Sequence, residues 1–172
     1  AGVPLVVDNT LATPVVVNTL TTGTGDIEFD QTGGGSVTFN TVRTTDGNIR
    51  LTSDVGDLTN NGSMTAGGDG RNITVITTGG ADVELTGTTT AAGDTVTINS
   101  NATINGAGLV TARVIDLDAQ TGIGNLRPLE LTGSQLTLDS VNGDVDADNV
   151  LATAVRVNTL TTGTGNIRFD QS

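Results

Sequence analysis

Three aspartates, Asp144, Asp146 and Asp148, alternate with Val145 and Ala147, and Asp116 and Asp118 flank Leu117 in the same way. On an extended strand successive side chains point to opposite sides, so each set projects its carboxylates from one face. Carboxylates grouped like this could hold a hard, oxygen-ligated cation such as calcium, or act as acid and base on a polysaccharide. The second chemistry asks for basic side chains beside the carboxylates and aromatic platforms for sugar. The chain has no Lys, His, Trp or Tyr, and only Arg113 and Arg127 lie near these aspartates in sequence. The expectation is a solvated acidic surface with no catalytic residue and no cofactor, in which Asp144, Asp146 and Asp148 are at most loose calcium contacts.

Other motifs lead to similarly plain readings. Residues 67–74, GGDGRNIT, resemble half of a calcium-binding nonapeptide site, but the motif occurs once and has Asn72 where an acid is needed, so a loop is expected. Asn61, Asn72 and Asn101 open N-x-Ser/Thr sequons, which matter only in a host that glycosylates them. The GTG and GGG stretches lack the following Lys, or the strand-to-helix context, of a phosphate cradle and read as turns. Thr-x-Thr pairs at 22/24, 86/88, 95/97 and 162/164 would suit an ice-binding lattice only if they fell once per coil. No single coil length spaces them.

Composition closes further routes. With no Cys or His there is no thiolate chemistry, no disulfide and no imidazole base or ligand. Nineteen acids against seven arginines give a net charge of −12, which repels phosphate backbones and anionic lipid surfaces. Nucleic acid is therefore not an expected partner. Membrane insertion is not expected either, because no apolar run reaches the roughly 18 residues of a span.

Along the chain, one long self-match stands out. Residues 11–32, LATPVVVNTLTTGTGDIEFDQT, return as 151–172, LATAVRVNTLTTGTGNIRFDQS, at an offset of 140 with 17 of 22 positions identical. Within the strand segments the changes, at 14, 16, 26 and 28, all fall on one parity, while Val15, Val17, Ile27 and Phe29 on the other are unchanged. The unchanged parity is read as inward and the changed one as solvent-facing.

A shorter rhythm runs between the copies. Apolar-x-apolar triplets such as Ile27/Phe29, Ile49/Leu51, Ile73/Val75 and Val96/Ile98 follow Gly, Asp or Asn turns at nearly even spacing, which loosens over residues 100–130. No helical period persists and β-branched residues dominate, so the chain is read as all-β. A thin aliphatic core with only three Phe and polar corners fits a solenoid better than two facing sheets. The expected architecture is a single parallel β-solenoid over residues 1–172, with about 6–8 coils of roughly 20–24 residues and Asn or Thr ladders along the stack.

The leaders GDIEF at 25–29, GNIRL at 47–51 and GNIRF at 165–169 resemble the coils of filamentous haemagglutinin-type bacterial secreted proteins. That resemblance implies a right-handed parallel β-helix on the bacterial cell surface or outside the cell. It implies a long structural or adhesive fibre rather than an enzyme. The secretion module of that family, with its Asn-Pro motifs, is not in this sequence, which leaves the export route open.

The reading of function is an extracellular fibre or stalk segment that associates with itself, either as covalent tandem repeats or by non-covalent stacking. The alternative is a surface adhesin module for a host or matrix partner, with calcium assisting. For the junction, near-identity of the two copies predicts that the 151–172 coil lies on the 11–32 coil of the next unit. Asn158 would then stack on Asn18, Leu160 on Leu20, Ile167 on Ile27 and Phe169 on Phe29, with Arg168 facing Glu28.

Overall fold

The computed structural model describes residues 2–172. Seventeen strands, all paired in parallel, stack as about eight turns of a β-solenoid. Among the described residues there is no helix long and apolar enough to cross a membrane. In chain order the first strands are β1 (Leu5–Asn9), β2 (Val15–Val17), β3 (Leu20–Thr22), β4 (Ile27–Gln31), β5 (Val37–Thr44) and β6 (Ile49–Ser53). There follow β7 (Leu58–Ala66), β8 (Ile73–Thr77), β9 (Val83–Leu85), β10 (Thr88–Ser100), β11 (Thr103–Asn105) and β12 (Leu109–Ala119). The last are β13 (Gly122–Ile123), β14 (Leu129–Ser140), β15 (Val145–Asn149), β16 (Arg156–Thr162) and β17 (Ile167–Gln171).

Three faces run the length of the stack. The first carries β1, β4, β6 and β8, then the second halves of β10, β12 and β14, and ends with β16. The second carries β2, the first halves of β5 and β7, then β9, β11, β13 and the starts of β15 and β17. The third carries β3, the second halves of β5 and β7, and the first halves of β10, β12 and β14. The ends of β15 and β17 complete it.

Each inward column is one apolar residue per coil. On the first face Leu5, Ile27, Ile49, Ile73, Val96, Ile115, Leu136 and Val157 lie in register. Two positions on, Val7, Phe29, Leu51, Val75, Ile98, Leu117 and Leu138 form a parallel column, which Leu160 continues after a bulge at Asn158. Between the faces Phe29 and Phe39 meet edge to face, 5.1 Å apart and 88° between planes, the geometry that aromatic quadrupoles favour. The inward parity read from the repeat holds at Ile27 and Phe29, which are buried, while Val16 is exposed.

Polar corners close each turn, and their chemistry is written in a short pattern: a hydroxyl residue, two residues, Gly, Asp or Asn, then an apolar residue. It occurs at 22–27, 44–49, 53–58, 140–145 and 162–167. The hydroxyl turns inward and donates to a corner carbonyl, as Thr22 and Ser53 do to Gly25 and Gly56, Thr44 to Gly25 at 3.0 Å and Thr162 to Gly143 at 2.6 Å. Such bonds satisfy buried polar groups where the backbone leaves the strand ladder. The Asp or Asn side chain accepts the backbone N–H of the coil above. Asp26 takes Asn48 N at 2.7 Å, Asn48 takes Asn72 N at 2.9 Å and Asn72 takes Thr95 N at 3.1 Å.

The Gly-Asp/Asn-apolar leaders are thus corner ladders. A second ladder, Asn18, Asn40 and Asn61, runs between the second and third faces with amide bonds of 3.0 and 3.1 Å. The loosened spacing over 100–130 reflects shorter coils. On the first face the step from Val96 to Ile115 is the shortest and that from Ile49 to Ile73 the longest.

Candidate functional site

The second halves of the two copies build the same rung, whereas the first halves differ: β2 and β3 lie on the second and third faces, but their counterparts Val157 and Leu160 share one strand, β16, on the first. β4 lies on β1 with Leu5 beneath Ile27, Val7 beneath Phe29 and Asn9 beneath Gln31. β17 lies on β15 with Val145 beneath Ile167, Ala147 beneath Phe169 and Asn149 beneath Gln171. The sequence offset between partners is the same in both. The polar contacts repeat too: Asn9 donates to the Gln31 side chain, which donates to Leu11 O at 2.7 Å. Asn149 donates to Gln171 at 2.9 Å, and Gln171 donates to Leu151 O at 2.6 Å. Thr32 bonds Asp8 at 3.0 Å where Ser172 bonds Asp148 at 3.1 Å, so the Thr-to-Ser change keeps the bonding hydroxyl.

The outward changes are compensated one coil below, inside the same chain. Glu28 lies over Val6, whereas Arg168 lies over Asp146 and pairs with it at 3.1 Å. Arg168 also pairs with Asp170. At the corner, Asn166 N and Nδ2 donate to Asp144 at 2.7 and 3.2 Å, and Asn in place of Asp there avoids stacking two carboxylates. These pairs are exposed, so each contributes at most about 1 kcal/mol. A double-mutant cycle of Arg168→Ala with Asp146→Ala is expected to show coupling of that size or less in thermal unfolding, and to lose it at high salt. Coupling that is salt-independent would refute the pairing.

This geometry alters two expectations. Asp144, Asp146 and Asp148 do not converge on one point, since each is engaged by a different residue of the coil above: Asn166, Arg168 and Ser172. Among the described residues no three acidic side chains group to hold a metal ion. The expected junction also changes. Ile27, Glu28 and Phe29 carry β1 on one edge and β6 on the other, so a second coil cannot lie on them without displacing one of these strands. Asn18 and Leu20 do lie along the lower edge of the stack, and Asn158, Leu160, Ile167, Arg168 and Phe169 along its upper edge. There Val157 and Ile167 point inward yet are 40% and 46% exposed, because no coil of this chain lies above them.

The second acidic group behaves differently. Asp116 and Asp118 face outward from β12, and Asp139 of β14 lies over Asp118. Partial burial pushes both Asp116 and Asp118 above the ordinary aspartate range, and for Asp118 the Asp116 and Asp139 charges add to it. A carboxyl whose folded pKa is raised destabilises the fold when ionised. Stability should therefore rise as pH falls through the folded value towards the ordinary 3.8. Asp118→Asn is expected to raise the melting temperature at neutral pH and to flatten this acid-side gain. An unchanged pH profile would count against the assignment.

The third face holds hydroxyl rows that the Thr-x-Thr pairs do not reveal. Thr21, Arg43, Thr65, Thr90, Thr111 and Thr132 form one outward column in register over six coils. Beside it, Thr41, Ser63 and Thr88 stack in a second column. The Thr-x-Thr pairs mix corners and faces, whereas these rows fall once per coil. The surface also carries two hollows. One, about 380 Å³, is bordered by Thr24, Asp26, Asp46 and Arg71, with Arg71 on Asp46 at 2.7 Å. The other, about 410 Å³, is bordered by Glu28, Asp30, Arg50 and Ile76, with Arg50 on Asp30 at 3.4 Å.

These features define the class of protein as a parallel β-solenoid with a long internal repeat. Comparison with protein-family models, curated proteins and solved structures gives no match.

Proposed function

We propose that this chain is a segment of a non-enzymatic extracellular fibre or stalk, on a bacterial surface, whose partner is its own repeat. The observation that carries this reading is the duplicated rung: β17 on β15 repeats the strand register and the side-chain bonds of β4 on β1. A rung that can be rebuilt with its contacts intact supports extension without a special end. In repeat proteins each unit is stabilised by its neighbours, so length adds stability. The test is the mass of the native material under denaturing conditions together with electron microscopy. Very high mass signals covalent tandem repeats, and a band near 17.3 kDa with long filaments signals non-covalent stacking. Short uniform rods of a single unit that bind a host surface would replace the fibre with the adhesin.

The threonine columns favour a second reading, in which the third face binds an ordered surface. Rungs about 4.8 Å apart with outward residues about 6.6 Å apart along each strand set hydroxyls and methyls on a lattice close to oxygen repeats in ice. Arg43 is the one charge in the column from Thr21 to Thr132. Partitioning of the protein into slowly growing ice is the test. Uptake that is lost in Thr90→Tyr supports this reading, and exclusion from ice refutes it.

A further inference from the structure

The duplicated rung does not return to the face it started from. The inward column from Ile27 passes through Ile49, Ile73, Val96, Ile115 and Leu136 and reaches Val157 after six turns. The counterpart of Ile27 in the repeat is Ile167, ten positions beyond Val157. Accordingly Ile167 lies not in that column but on the next face. There it sits over Val145, in the column that descends through Ile123, Ile104, Val83, Leu58 and Val37 to Val15.

We infer that a fibre built from this repeat is a screw, in which each unit is turned about the axis by between one third and two thirds of a turn from the unit before it. The range arises because Ile167 and Leu160 lie one face on from Ile27 and Leu20, whereas Val157 and Gln171 lie two faces on from Val17 and Gln31. The inference rests on the fibre reading and adds the geometry by which one unit receives the next. Two observations make the rotation compatible with the chemistry. First, the corner pattern of hydroxyl, Gly and Asp or Asn is used at both corners concerned. At 22–27 and 44–49 it leads from the third face to the first, and at 53–58, 140–145 and 162–167 from the first to the second. A segment moved from one corner to the other therefore finds the same bonds. Second, the repeated rung keeps its register after the shift.

The contact that follows is also specified. The strand laid on β17 by the next unit is the counterpart of β6, as β6 lies on β4. Ile49 of that unit would cover Ile167 and its Leu51 would cover Phe169, burying the apolar groups that are open on the upper edge. Its Arg50 would take Asp170 as Arg50 takes Asp30 within this chain, while Arg168 keeps Asp146. The result is an alternating row of charges rather than a clash of two arginines. Each unit rises about 30 Å. Any outward group of the unit is then displayed on a different side in the next unit, and no single-sided patch runs the length of the fibre. A partner binding one patch per unit would decorate the fibre helically.

The test uses the full chain followed twice by residues 33–172, so that three units run in one polypeptide. The protein has no cysteine, so Leu126→Cys, at a loop position 80% exposed, and its two counterparts give one thiol per unit for a bulky maleimide label. Electron microscopy should show three labels stepping around the rod by between one third and two thirds of a turn, each about 30 Å above the last. Labels aligned along one side overturn the inference, as does an extended chain that does not form one continuous rod. The mass and electron microscopy of the native material decide the fibre reading separately: native protein of a single unit that forms no filaments would end that reading while the label angle still decides the phase of the repeat.

Discussion

Ile49→Asp is expected to remove most of the stability of the fold, whereas Glu28→Gln, one coil below and one residue out of phase, should change it by less than about 0.5 kcal/mol. Ile49 is buried, with Ile27 under it and Ile73 over it in the same column. Truncating a buried Ile costs about 2–5 kcal/mol through lost transfer and an unfilled cavity. A carboxylate there adds the penalty of a buried group with no partner, or the cost of protonating it. The column offers only aliphatic neighbours, so nothing nearby can satisfy the acid. The sum approaches the roughly 5–15 kcal/mol of a whole domain. Because solenoid coils are stabilised by their neighbours, loss at Ile49 should spread to the coils on either side. Glu28 sits on the outside of β4, about half exposed, 3.9 Å from Arg50. Its charge is screened by water and salt, so the neutral amide loses little. Urea unfolding followed by far-UV circular dichroism separates the two. Comparable shifts in midpoint would break the inward and outward assignment on which the core rests.

What was legible in the sequence differs from column to column. The first face could be read because it offers two inward residues per coil, as in Ile27/Phe29 and Ile49/Leu51, so alternation shows within each triplet. The third face could not, because only one of its two inward columns is bulky, Leu20, Val42, Met64, Thr89, Val110 and Leu131, while the other holds Thr22, Thr44, Ala66, Ala91 and Ala112, which are small or polar. A single bulky inward residue per coil, once replaced by Thr89, leaves no apolar alternation to detect, and the outward hydroxyl rows beside it are hidden with it. The junction failed for a different reason. Similarity between copies locates equivalent residues but not the strand beneath them, and β1, which covers Ile27 and Phe29, resembles its counterpart β15 mainly at Asp8 and Asn9. The compensation of Arg168 by Asp146 therefore lay one coil outside the matched segment. The rotation was hidden because coils differ in length, as the steps from Ile49 to Ile73 and from Val96 to Ile115 show. The long period consequently does not divide into turns by arithmetic.

Gly87→Ala should be the most damaging of the conservative substitutions, at the upper end of overpacked sites or about 3 kcal/mol. Gly62, Gly87 and Gly108 follow one another up the bend between the second and third faces. A Cβ on Gly87 would overlap the carbonyl oxygen of Gly62, and one on Gly108 the carbonyl oxygen of Gly87. Both obstacles are backbone held in parallel rungs, so the methyl can be accommodated only by prising two coils apart, which breaks ladder bonds on the adjoining faces. Gly80 provides the control for conformation without contact. Its φ is +85° and an added methyl would have no atom within 4 Å, so Gly80→Ala should cost the left-handed penalty alone, about 1–2 kcal/mol. Gly23 has open space and no left-handed φ. Gly23→Ala should be neutral or stabilise by up to about 1 kcal/mol by restricting the unfolded chain. Thermal unfolding of the three variants should therefore rank Gly87 below Gly80 and Gly80 below Gly23. If Gly87→Ala melts with the native protein, the coils are not packed at the bend as closely as a continuous solenoid requires, and stacking of one unit on the next would lose its physical basis.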